Sequence, residues 1–236
     1  MKYIRWSVVC ILLLGLAAGI FYICLKDTDT YIMKLGTTEI TDGQFQFYLD
    51  KNRTDIISSY QKPGETVDDE FWNRQVKDGM SAATLLKAQA KQDCLREQMI
   101  FILAKEKGLR KTVTFEEIKE EMEKENSDRE NSVKSGKIVY GNKNYSMLTY
   151  MNYCISNISR ELIKLMEDDE LKYTDEQIRS YCEENGKDIS GLNSNEIRDK
   201  YGVVFKNDLL IRYADARIEE LGVAVNQEKF DEFAMQ

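Results

Sequence analysis

Cysteines and carboxylates are the side chains best able to do chemistry in this sequence, because it contains no histidine. That absence removes the commonest general base, the commonest zinc ligand and every Ser-His or Cys-His nucleophile arrangement. Cys94, Cys154 and Cys182 are the cysteines outside an apolar N-terminus, and their wide spacing fits neither a zinc motif nor a disulfide framework. Cys94 and Cys154 fall inside helical patterns, where a thiol serves as a small buried hydrophobe. The runs "EEIKEEMEKE" and "MEDDE" set carboxylates close together, as acid–base catalysis needs, but on an amphipathic helix such runs form a solvated face. No GxxxxGK phosphate loop occurs, and "YGNK" at Tyr140 to Lys143 reads as a turn. Asn52, Asn144 and Asn157 open sequons that matter only in a eukaryotic secretory host. The residue types therefore name no catalytic group, no cofactor and no metal.

The aromatics carry more information. Thirteen tyrosines, nine phenylalanines and two tryptophans recur along the helical patterns, and most of them are expected in the core. Phe47 stands apart, because Phe45, Tyr48 and Leu49 already define the inner face of its helix. Phe47, the pair Phe71 and Trp72, and the tyrosines Tyr145 and Tyr153 are the candidates for lining a groove that takes extended, apolar client segments.

The elements that must position these residues are mostly helices. "YIMKLG" alternates like a short half-buried strand, with a turn at Gly36 to Thr38. Thr41 and Gln44 form a capping box, and Phe45, Tyr48, Leu49, Ile56 and Tyr60 come next on one helical face until Pro63 and Gly64. After a polar connector around Phe71 and Trp72, a long helix from about Ser81 to Lys107 carries a stripe of Leu85, Ala88, Leu95, Met99 and Ile102. A second box, Thr114 with Glu117, opens a helix expected to dissolve into a mobile linker over "EKENSDRENSVKSGK". A helix from about Tyr145 to Met166 buries Tyr150, Cys154, Ile158, Leu162 and Leu165. Thr174 and Gln177 open a short helix ending at Gly186, and "DISGLNSN" is a loop. The last long helix runs from Asn195 to Leu221, with Ile197, Tyr201, Val204, Phe205, Leu209, Tyr213 and Ala216 inside. Gly222 stops it, "VAV" is a strand, and "NQEKFDEF" is a terminal turn or helix. Two lone strands must satisfy their backbone groups somewhere, and pairing with each other would make the two ends meet.

The start of the chain differs from the rest. Ser7 to Leu25 carries no charge over 19 residues. At about 1.5 Å per residue that run spans roughly the 30 Å core of a bilayer. Lys2 and Arg5 precede it, which places residues 1–6 in the cytoplasm and the folded part outside. The run is long for a signal peptide, and "FYICLK" lacks a small-x-small cleavage site, so an uncleaved anchor over 7–25 is expected. A cleaved, secreted form and a lipoprotein modified at Cys24 are the alternatives. Removing Lys2, Arg5 and Lys26 leaves 30 basic residues against 41 acidic ones. Such a balance opposes a nucleic-acid partner, since nothing compensates the phosphates.

"KLGTTEITDGQFQFYLDKNR", Lys34 to Arg53, resembles the opening of the SurA/PrsA-type foldases, exported bacterial chaperones that often carry a parvulin prolyl-isomerase module. In that family a short strand, an NG-x-x-I-T turn and an amphipathic helix begin the chaperone domain. Leu35-Gly36 and Ile40-Thr41 match, with Leu35 in place of the usual asparagine. "QMIFILAKEKGL" is similar to the family's second helix and its exit. "YTDEQIRSYCEEN" resembles the helix leading into the parvulin module. "FKNDLLIRYADARIEELGVAVNQEKFDEF" is similar to the helix and strand on the far side of that module, which pack back on the N-terminal domain.

The resemblance implies a mainly α, SurA-N-like chaperone domain over 31–236. Residues 31–186 would be its N-terminal part, and 195–236 a C-terminal helix and strand packing back on it. It also implies unfolded or exported polypeptides as partners, bound without ATP, while the apolar run over 7–25 is what gives the membrane as a partner through the N-terminal helix. Only eight residues, "DISGLNSN", stand where a parvulin module would be inserted, and such a module needs many tens more. No catalytic residue of the family carries over, so prolyl-isomerase activity would rest on family membership alone. A dedicated envelope interaction protein with one partner is the remaining alternative.

Overall fold

A computed structural model describes residues 31–233, and about two-thirds of them are helical. The expected anchor over 7–25, and with it the cytoplasmic residues 1–6, lies outside the described residues. Among the described residues no helix is long and apolar enough to cross a membrane.

The elements succeed one another as β1 (Met33–Leu35), β2 (Thr38–Ile40), α1 (Asp42–Tyr60), α2 (Asp69–Asn73), β3 (Gln75–Lys77) and β4 (Met80–Ser81). Then come α3 (Ala82–Glu106), α4 (Phe115–Lys134), α5 (Met147–Met166), α6 (Asp175–Glu184), α7 (Ser194–Leu221), β5 (Val223–Val225) and α8 (Gln227–Glu232). Local chemistry sets most helix starts. Thr114 with Glu117 and Thr174 with Gln177 form complete capping boxes, and so do Asn193 and Glu196, a third box inside the expected loop. Thr41 caps α1 by accepting from the Gln44 N–H at 3.2 Å. The Gln44 side chain does not reach back as expected. It is buried and donates instead to Gln98 Oε1 on α3, 2.9 Å away.

The two ends of the described chain meet. β1 pairs antiparallel with β5, Met33 opposite Val225 and Leu35 opposite Val223, and β2 adds a strand on the other side. Gly36 sits at φ 56°, a left-handed turn conformation that suits glycine, and its N–H donates to the Gly222 carbonyl at 3.1 Å. A separate hairpin, β3 with β4, turns through Asp78 and Gly79, both at positive φ. It occupies what reads in the sequence as a polar connector.

α3 runs through the main core, packing on α1, α5 and α7. Its buried face is Leu86, Ala90, Cys94, Met99, Phe101 and Leu103, so the stripe turns away from the expected Ala88, which is exposed. A second apolar cluster joins Ile178, Tyr181 and Cys182 of α6 to Ile197 and Phe205 of α7. α7 therefore serves two cores, with Leu210 and Ala214 reaching the main one. Leu165 and Val204, expected inside, are exposed, and Met166 and Gly202 are buried in their neighbourhoods.

The acidic stretch after Met122 is helix, not linker. α4 persists to Lys134 because Glu125–Arg129 and Glu130–Lys134 pair one turn apart. Its outer end is tied to the next loop. Asn126 Nδ2 donates to the Tyr145 carbonyl at 3.0 Å, and Arg129 Nη1 donates to the carbonyls of Tyr140 and Asn142.

Candidate functional site

A groove of about 730 Å³ lies between α3, α5 and the C-terminal helix α7. Its size falls within the roughly 300–1,000 Å³ typical of ligand sites. α7 lines the groove between Val203 and Ile211, the stretch that carries Phe205 of the α6 cluster and Leu210 of the main core. Ile155 and Ile163 on α5, Ile100 on α3, and Leu210 and Ile211 on α7 supply its apolar surface. Val203, 74% exposed, forms an apolar lip.

Charged side chains rim the groove, and several of them hold the helices together. Arg96 of α3 donates from Nε and Nη2 to the two carboxylate oxygens of Asp215 on α7, each at 2.7 Å. This forked geometry is the strong form of an ion pair. Lys206 of α7 pairs with Glu167 at the end of α5. Glu97 accepts from the Tyr48 hydroxyl at 2.9 Å and from Lys51, which also stands 3.6 Å from Asp93. Arg160 and Lys164 project from α5 on the same rim.

The residues singled out from sequence lie elsewhere. Phe71 is sealed in the core at 1% exposure and has no surface to offer a client. Trp72 meets it edge-on, centroids 4.9 Å apart, and is half-buried under Arg53. Phe47 packs between Tyr48 and Phe115, centroids 5.0 and 5.4 Å away, so it belongs to the edge of the core. Tyr145 and Tyr153 come together, stacked at 5.9 Å, with Arg129 over the Tyr145 ring. Tyr153 is exposed, yet this pair sits beside the α4–α5 loop and not in the groove. The groove residues escape a search for aromatics because they are aliphatic. A signal is present: Ile155 and Ile163 run one step round α5 from Cys154, Ile158 and Leu162, giving an apolar arc wider than one core face needs.

Cys94, Cys154 and Cys182 are free and buried, and burial pushes each thiol up from its ordinary value. Burial also pushes the Tyr48 hydroxyl well up, with the Glu97 carboxylate adding to the shift. Among the described residues no group of three histidine, cysteine or acidic side chains is placed to hold a metal. The buried groups have a consequence for stability. Their raised values mean that the native state keeps protons that the unfolded chain releases above pH about 8.5 for thiols and about 10 for tyrosines. Their stabilisation is full below those values and is lost as pH climbs towards the raised ones. Urea midpoints should therefore hold steady up to about pH 8 and fall from about pH 8.5 upward. A midpoint flat to about pH 11, beyond the ordinary range of both groups, would contradict their burial.

The described residues form a mainly helical fold with an apolar groove between α3, α5 and α7. No family model matches the chain, and no curated protein or solved structure matches it.

Proposed function

We propose that the protein is a membrane-anchored, extracytoplasmic chaperone-like domain of the SurA/PrsA type that holds unfolded or exported polypeptide segments without ATP. The observation that carries this reading is the groove itself, an apolar surface with a charged rim between N-terminal helices and the C-terminal helix. Two features of the chain support the resemblance. β1 and β5 join the ends, and α6 passes to α7 through a short link, Asn185 to Asn193, with no room for a catalytic module. Contacts to the client are mostly aliphatic and rim-exposed, which suits weak, reversible binding of many sequences.

The test is suppression of aggregation of a chemically unfolded model protein by the full chain in lipid nanodiscs. Suppression at a few-fold molar excess is expected, and it should weaken in Val203→Glu and Ile211→Glu, which alter exposed groove positions. A full chain without effect at tenfold excess sinks the reading. Proline-limited refolding, which takes tens of seconds or more uncatalysed, should not accelerate.

A partner-specific envelope interaction protein is the second reading. It is favoured by the closure around Phe71, which leaves that aromatic region no open surface for varied clients. Affinity capture from membranes separates the two, one stoichiometric partner against a spread of clients.

A further inference from the structure

Resting on the client-binding reading, we infer that the groove selects short, extended apolar segments flanked on one side by acidic residues. The α5 wall runs from Ile155 to Glu167. At about 1.5 Å per residue this wall is roughly 18 Å long. An extended strand of about five residues, at about 3.3 Å each, fills that length. An extended occupant also brings unpaired backbone groups that need partners, whereas a helical one does not. Ser156, Ser159 and Asn207 stand along the groove to meet them. Asn207 already donates from Nδ2 to the Val203 carbonyl at 2.8 Å, which leaves its amide oxygen as an acceptor for a client N–H.

Charge sets the direction of preference. The rim carries four cations and three carboxylates, and the carboxylates are satisfied from within the protein. Glu97 is held by Tyr48 and Lys51, Asp93 by Asn52 and Lys51, and Glu167 by Lys206. Arg96 is consumed by Asp215. Arg160 differs, since its guanidinium reaches only the Asn157 side chain at 3.4 Å and forms no ion pair among the described residues. Lys164, one turn on, bonds Glu161 at 2.9 Å, with both side chains at least half exposed. Arg160 and Lys164 are therefore the charges a ligand can still engage. They form a local positive edge on a chain of net charge −8, so acidic segments are attracted here and repelled by the surface as a whole.

Two amidated, dansyl-labelled heptapeptides test this. They share a Leu-Val-Tyr-Ile-Ala centre and end in two aspartates or in two lysines, and are titrated against the full chain in zwitterionic nanodiscs. The aspartate peptide should bind about fivefold tighter at roughly 20 mM salt, as expected for exposed charge pairs, and the difference should shrink at about 0.5 M. Arg160→Glu should invert the order. Equal affinities, or a preference that survives Arg160→Glu, overturn the acidic selectivity and leave client binding standing. Binding of neither peptide overturns both.

Discussion

Replacing Phe45 with alanine should cost about 3–5 kcal/mol of folding stability, the range for deleting a buried aromatic ring. Phe45 is fully buried in the first turn of α1, and its ring lies 5.3 Å from the rings of both Phe230 and Phe233. It is the point at which the start of the domain grips the segment after β5. α8 is only six residues long and has no buried residue of its own, so it cannot persist as an isolated helix. Its place depends on those rings and on Lys87, whose ammonium donates to the carbonyls of Phe230 and Asp231 at 3.0 and 2.9 Å. Domains of ordinary size have about 5–15 kcal/mol in total, so the loss should lower the urea midpoint severely with little change in slope. Because Phe230 shares the contact, Phe45→Ala and Phe230→Ala should together cost less than the sum of their separate effects. A Phe45→Ala loss under about 1 kcal/mol would mean that the two ends are not docked.

Helix starts are legible in the sequence because capping is local chemistry. Thr114, Thr174 and Ser81 stand where the helices begin. Strands of three residues are harder, since they exist only through a partner. The need to satisfy lone backbone groups points to β5, but β2 passes for a turn, although Ile40 is fully buried. The β3–β4 hairpin is legible in principle: Asp78-Gly79 between Val76 and Met80 is a strong two-residue turn signal. The acidic stretch of α4 misleads in the opposite way. Its polarity suggests a linker, while the spacing of Glu125 from Arg129 and Glu130 from Lys134 is what sustains a solvated helix.

The candidate site is less legible, for a physical reason. Periodicity reports which face of a helix is buried, but a groove is the place where two apolar faces fail to meet, and that depends on how distant helices are set. α7 is tied to the end of α5 by Lys206–Glu167 and to α3 by Arg96–Asp215, pairs that join residues far apart in sequence. Aromatic content draws attention to Phe71 and Phe47 because large rings dominate contact area, and for the same reason the core takes them first. The groove is lined with isoleucine and valine, whose signature is only an apolar arc broader than packing requires.

Gln98→Leu should cost about 2–6 kcal/mol although it hardly changes side-chain volume, since it orphans two buried polar groups at about 1–3 kcal/mol each. Gln98 is 1% exposed in the middle of α3, between Leu95 and Phe101. Its Oε1 accepts from Gln44 Nε2 at 2.9 Å, and its Nε2 donates to the Val113 carbonyl at 2.8 Å. One amide thus ties the first helix, the central helix and the connector before α4 into a single chain of bonds inside an apolar core. Removing it leaves the Gln44 amide and the Val113 carbonyl unpaired, and frees the connector that seats Phe115 and Ile118. The double variant Gln44→Leu with Gln98→Leu removes one of those orphans, and its apolar side chains suit the surroundings. It should therefore be more stable than Gln98→Leu alone, with a coupling of about 1–3 kcal/mol between the two sites in a double-mutant cycle. Strict additivity would mean that the glutamines are solvated separately and that the core is open between α1 and α3. A deficit that the second substitution does not relieve would place the whole cost on the Val113 carbonyl, and so on the connector instead of the helix pair.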